Sequence, residues 1–158
     1  QPKNAFNAYQ EYLQIFPKHL QSVQAQNIYR GYFAQKSLQE QPDNPEFLND
    51  TGMSYLIRGN YLEALNYLSK AQQLAPENPV ILYNLGLVYL AKKDQSLAIV
   101  AFKKAIKFQP NYTKAYYNLG LAHYELGQME AAKMYWQKTL SLDPEFEAAR
   151  EAIQSIKL

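Results

Sequence analysis

The side chains able to do chemistry in this 158-residue chain are few: two histidines, His19 and His123, no cysteine, and 14 acidic residues against 16 lysines and arginines. No glycine-rich phosphate loop, no HExxH and no GxSxG occurs, and no histidine shares with a carboxylate a spacing suited to a metal. His123 stands in a frame position held elsewhere by Tyr55 and Tyr89, which favours packing, and His19 is isolated near Pro17. Glu145, Glu147 and Glu151 read as a solvated helix face. The lack of cysteine excludes a disulfide framework and thiolate metal sites and leaves the redox compartment open. These residues predict no catalytic centre, no cofactor and no metal, hence a protein that is not an enzyme.

What remains is amide recognition. Asp50, Asn84 and Asn118 recur at one interval, and Asn49, Tyr83 and Tyr117 precede them at the same interval. An asparagine amide donates to a carbonyl and accepts from an N–H of an extended peptide at once, so a ladder of them reads backbone without reading sequence. Tyrosines beside it offer rigid apolar area with a polar tip. Met53, Leu87 and Leu121, then Leu56, Leu90 and Tyr124, continue the ladders.

The elements that must position these residues come from an internal repeat. The segments PEFLNDTGMSYLIRGNYLEALNYLSKAQQLAP, PVILYNLGLVYLAKKDQSLAIVAFKKAIKFQP and TKAYYNLGLAHYELGQMEAAKMYWQKTLSLDP align, with closing prolines at 76, 110 and 144. Each holds two amphipathic helical patterns, as in a solenoid of stacked helical hairpins. Gly52, Gly86 and Gly120 fall at equivalent helix-interior positions, where glycine costs about 1 kcal/mol relative to alanine. A close approach of the partner helix at Ala64, Ala98 and Ala132 supplies the reason. Leu68, Phe102 and Trp136, four residues on, lie on the same face and fill the space between hairpins.

On these residues the chain resembles the tetratricopeptide repeat (TPR) family. Further matches are Leu48, Leu82 and Tyr116 early in the first helix, and Ala71, Ala105 and Thr139 late in the second. The resemblance implies an all-α, right-handed superhelical solenoid of antiparallel hairpins. Three repeats span 45–78, 79–112 and 113–144 of a 43–144 array, with a C-terminal capping helix over 145–158. It also implies a concave groove, lined by first helices, that holds a protein or peptide partner. The candidate groove residues are Asn49, Asp50, Met53, Tyr83, Asn84, Leu87, Lys114, Tyr117, Asn118, Leu121 and Tyr124.

Family members that grip the C-terminal tails of Hsp70 or Hsp90 use a five-residue carboxylate clamp. Here Asn84 and Lys114 match that clamp, whereas Asn49, Met53 and Asn118 stand where lysine, asparagine and arginine belong. Such a tail is therefore not the expected ligand.

Helix limits follow from local chemistry. Asn44-Pro45 and Asn78-Pro79 are N-cap and first-turn pairs, and Asn60 with Glu63 is similar to a capping box. Turns are expected at 58–60, 92–94 and 126–128. In the final helix Phe146, Ala149, Ile153 and Ile156 face inward while Glu147, Glu151, Gln154 and Lys157 face water, as a solenoid's last helix requires.

Residues 1–42 read as a degenerate or truncated helical repeat. Ala5, Tyr9, Tyr12, Leu13 and Ile15 before Pro17 fit the second half of a repeat, and the start at Gln1 fits a piece of a longer chain. Residues 18–41 read as one long helix or a shortened hairpin bent near Gly31.

Composition adds exclusions. A 47% hydrophobic content with 19% charged residues is that of a globular domain. The net charge of +2, with no basic run, recommends no nucleic-acid partner, and no apolar stretch is long enough to span a membrane. The expected function is a protein-interaction adaptor binding an extended peptide or partner helix. A self-assembling scaffold module, as a weak homo-oligomer, and an accessory domain of a larger protein are the alternatives. Nothing in the residues specifies a compartment.

Overall fold

A computed structural model gives the structure, which describes residues 23–156. Eight helices occupy them: α1 (Val23–Ser37), α2 (Pro45–Ile57), α3 (Tyr61–Leu74), α4 (Pro79–Ala91), α5 (Gln95–Phe108), α6 (Thr113–Glu125), α7 (Met129–Leu142) and α8 (Glu147–Ser155). No strand occurs among the described residues. The chain divides into two compact units, Gln1–Pro76 and Glu77–Leu158. The expected half-repeat before Pro17 lies outside the described residues.

In the first unit α2 packs against both α1 and α3. Asn44 starts α2 by accepting from the N–H groups of Glu46 (3.0 Å) and Phe47 (3.2 Å), with Pro45 in the first turn where no N–H is missed. Gly52 explains the α2–α3 crossing: a Cβ there would lie 2.7 Å from Leu68 Cγ and 3.2 Å from the Ala64 carbonyl oxygen. The glycine thus makes room chiefly for the large side chain, and for the alanine's backbone second.

Helix α1 runs through Gly31 as α-helix. Of the two readings of 18–41, the described residues 23–37 fit one helix and not a hairpin bent near Gly31, which serves instead as a crossing glycine. A Cβ there would run into the Ser54 side chain on α2, with the Asp50 carbonyl oxygen 3.1 Å away. Ala34 on α1 and Phe47 on α2 form the buried centre of that contact.

The second unit repeats the arrangement, α4 packing on α5, α5 on α6, α6 on α7, and α7 on α8. Asn78 caps α4 as Asn44 caps α2. A Cβ on Gly86 would strike the Phe102 ring, and one on Gly120 would come within 2.5 Å of Trp136 Nε1 and 3.1 Å of the Ala132 carbonyl oxygen. Between hairpins, Leu119 of α6 packs on Ala98 and Phe102 of α5. At the end of the unit Ala149, Phe146, Ile153 and Ile156 cover Ala132 and Trp136, while Glu147, Glu151 and Gln154 stay exposed, as the sequence implies.

The capping box expected at Asn60 does not form, since the Asn60 side chain makes no cap hydrogen bond. Its backbone N–H is already donated to the Tyr55 carbonyl (2.9 Å), so Glu63 has no donor to reach back to. Asp94 and Gln128 repeat this bond, to Tyr89 and His123. The residue before each needs left-handed backbone: Gly59 (φ 78°) and Gly127 (φ 73°) supply it without strain, but the middle turn uses Lys93 (φ 61°).

Two stability outcomes follow. Gly120→Ala should destabilise by about 1–3 kcal/mol through overpacking against Trp136, whereas Gln137→Ala on the exposed side of α7 should change stability by less than about 0.5 kcal/mol. Lys93→Gly should stabilise by up to about 1 kcal/mol, the relief of left-handed strain outweighing the entropy of a glycine. Chemical denaturation of the three variants checks both, and a stabilising Gly120→Ala would overturn the crossing geometry.

Candidate functional site

Each first helix carries its ladder residues, but the structure puts them to different uses. On α2 of the first unit, Asn49 and Asp50 are buried, each about 8% exposed. The Arg30 guanidinium from α1 donates to both Asp50 carboxylate oxygens at 3.0 Å, and Asn49 Nδ2 donates to Oδ1 at 3.2 Å. A buried carboxylate requires such partners, and a single Arg30 nitrogen, Nη2, reaches both of its oxygens. Met53 on the same helix is half-buried. Asn49 and Asp50 are thus engaged within the unit.

In the second unit α4 and α6 lie side by side. Tyr83 is half-buried, packed on Phe102 (ring centroids 5.7 Å) and Tyr112 (4.9 Å). Tyr117 makes the same contacts one repeat later, on Trp136 (6.4 Å) and Phe146 (5.1 Å), and its carbonyl accepts from Trp136 Nε1 at 3.0 Å. Both tyrosines therefore take part in packing successive hairpins together. Asn84, expected to face solvent, is buried at 7% exposure.

Asn118 differs. Its Nδ2 donates to the Tyr83 hydroxyl (3.0 Å) and to the Lys114 carbonyl (3.0 Å), which orients the amide, and its Oδ1 accepts no hydrogen bond among the described residues. Lys114, one turn earlier, is exposed, while Leu87 and Leu121 are half-buried and Tyr124 is 38% exposed beside Trp136. The arrangement offers one fixed carbonyl acceptor, one exposed ammonium and a strip of apolar surface.

His123 stacks on Tyr135 (5.2 Å, 21°), as Tyr55 stacks on Tyr67 (5.4 Å, 9°) in the first unit. Its Nδ1 contacts the Gln128 side-chain oxygen, and its Nε2 is buried with no partner among the described residues. Among the described residues no group of three histidines or carboxylates is placed to hold a metal, and no helix is long and apolar enough to cross a membrane.

Sequence reasoning missed Arg30 and the crossing role of Gly31, because α1 carries no copy of the repeat frame. It missed the internal roles of Tyr83 and Tyr117 although a signal was present: their partners Tyr112 and Phe146 are aromatic residues at equivalent frame positions.

Hairpins crossing at glycine, each with a small alanine and a large apolar residue in the second helix, define an all-α helical-repeat protein. A family model described as TPR repeat matches residues 52–93 and 88–127, and one described as tetratricopeptide repeat matches residues 113–146. The chain belongs to the tetratricopeptide repeat family. Similar solved structures include a crystal structure of MamA, 27% identical, covering 85% of this chain and 82% of that one with a TM-score of 0.72. The first TPR domain of human RPAP3, by NMR, is 30% identical and covers 73% of this chain and 91% of its own, with a TM-score of 0.69. The first TPR of Spaghetti (RPAP3) bound to the HSP90 peptide SRMEEVD is 29% identical, covering 71% and 89%, with a TM-score of 0.69. No curated protein sequence matches the chain.

The inter-hairpin contact at Tyr83 has a pH signature. Burial, with the Tyr112 phenol adding to it and the Asn118 hydrogen bond opposing, pushes the Tyr83 hydroxyl up from 10.0 to about 12. A raised folded-state value means the contribution to stability is complete below pH 10 and is lost as pH climbs to about 12. Urea unfolding across that window should show stability falling, and Tyr83→Phe should remove on the order of 2 kcal/mol of the fall. An unchanged slope in the variant would place the alkaline loss elsewhere.

Proposed function

We propose that this chain is a non-catalytic protein-binding module, and that the α4–α6 face of its second unit takes an extended segment of a partner protein. The single observation that carries this reading is the Asn118 amide, locked by Tyr83 and Lys114 with its Oδ1 left to accept a backbone N–H. An acceptor held rigid before binding spares the ordering entropy a free side chain would lose. Lys114 then meets a carbonyl or carboxylate of the segment, while Leu87, Leu121 and Tyr124 take its apolar side chains. Asn49, Asp50 and Met53 in the first unit, with Asn84, Tyr83 and Tyr117 in the second, act as supports for first-helix faces in this proposal.

The relative bound to SRMEEVD supports protein binding as the role of the fold. It does not make that peptide the ligand here, since only Asn84 and Lys114 fill the clamp positions and Asn84 is buried.

Peptides selected from a displayed random library on the purified chain test the proposal. Asn118→Ala and Leu121→Ala should each weaken the selected segment about tenfold, by the arithmetic of about 1.4 kcal/mol per decade. Lys114→Ala, an exposed change, should weaken it while leaving thermal melting unmoved. SRMEEVD should bind at least about tenfold less tightly than the selected segment. Unchanged affinity in both Asn118→Ala and Lys114→Ala would move the site off this face.

A further inference from the structure

The outward side of α5 carries a charge pattern that the repeat does not demand. The helix carries Lys103, Lys104 and Lys107 and no acidic residue, three net positive charges in a chain whose total is +2, so the remaining residues are net negative. Neither neighbouring repeat shows this. At the frame positions of Leu97, Val100, Lys103 and Lys107, the first repeat has Glu63, Asn66, Ser69 and Gln73, and the third has Ala131, Met134, Gln137 and Ser141.

Helical spacing turns the segment into one stripe. Leu97, Val100, Lys104 and Lys107 follow one another at three- and four-residue steps, so they share a face, with Lys103 and Phe108 at its borders. That face points away from Ala98, Ala101, Phe102 and Ala105, which are buried. Leu97 is 45% exposed, Val100 49% and Phe108 37%.

The lysines lack internal use. Lys70, at the frame position of Lys104, pairs with Asp43 at 3.0 Å, and Lys138, at the same position of the third repeat, sits 5.9 Å from the centre of the Tyr116 ring. Lys103, Lys104 and Lys107 have no carboxylate partner among the described residues. Only Lys107 has an aromatic neighbour, its ammonium 5.5 Å from the Phe108 ring. Lys93, in the turn leading into the helix, keeps a left-handed backbone where both sister turns use glycine.

We infer that the outer face of α5 is a second docking surface, and that its occupant is an acidic amphipathic helix of a partner protein. Carboxylates on such a helix would complete Lys103, Lys104 and Lys107, and its apolar residues would cover Leu97, Val100 and Phe108. Val100 lies between Lys104 and Lys107 on the outermost arc, with Leu97 and Phe108 towards the buried side, so charge and apolar surface alternate along one helix length, as on the face of an opposed amphipathic helix.

The test uses a synthetic helical peptide with Glu at i and i+4 and Leu at i+3 and i+7, and a control peptide with Gln for every Glu. The acidic peptide should bind the intact chain at least about tenfold more tightly than the control, and K103E/K104E/K107E should weaken it by about tenfold or more. Raising salt from about 0.1 M to about 1 M, which shortens the screening length from about 10 Å to about 3 Å, should also weaken it. Gln137→Glu with Ser141→Glu, at the equivalent face of α7, should leave the affinity as it was. Equal binding of the two peptides, or full affinity in a folded triple variant, would overturn the inference. So would lysine-dependent sedimentation with phosphatidylserine-containing vesicles by a chain that does not bind the acidic peptide.

Discussion

Everything in both units hangs on a missing methyl group. At Gly52, Gly86 and Gly120 the first helix of a hairpin approaches the second so closely that an added Cβ would meet Leu68, Phe102 or Trp136. The large residue fills the volume the glycine vacates, and burial of such a side chain stabilises by about 1.5–3 kcal/mol, more than a helix-interior glycine costs. The occupant grows along the chain from leucine to phenylalanine to tryptophan while the glycine stays. Gly31 applies the same solution to α1 and α2, outside the repeat frame.

With each hairpin closed by its own crossing, contacts between hairpins decide what the first-helix face has left to offer. Tyr83 and Tyr117 are drawn into that task by Tyr112 and Phe146, and the Tyr83 hydroxyl in turn claims one hydrogen of the Asn118 amide. What is left for a partner is therefore not a row of identical asparagines. It is one oriented carbonyl on α6, flanked by a lysine and by apolar side chains.

The repeat was legible because its period, its glycines and its prolines each mark the same frame, and the caps at Asn44 and Asn78 confirmed helix starts to the residue. The candidate site was less legible. A 34-residue ladder says that residues share a frame position, but not whether a neighbour has already consumed their hydrogen bonds. Asp50 reads as an open carboxylate until Arg30, on a helix with no frame of its own, is brought against it. Asn60 failed as a capping box for a similar reason, a backbone carbonyl having taken the donor first. The lysines of α5 were hidden by the small net charge of the whole chain, which averages a basic helix against the net negative stretches 43–91 and 115–158 on either side of it.

Trp136 gives the molecule a built-in optical gauge. It is the sole tryptophan of the chain, 2% exposed, wedged at Gly120, with its indole N–H fixed on the Tyr117 carbonyl. Its emission therefore speaks for the α6–α7 hairpin and the helix that covers it, and is silent about α2 and α3. Circular dichroism averages over all the helices. The two signals superimpose on heating if the array melts as one cooperative body, and separate if the hairpins let go in turn, so the wild-type protein reports its own cooperativity without a label.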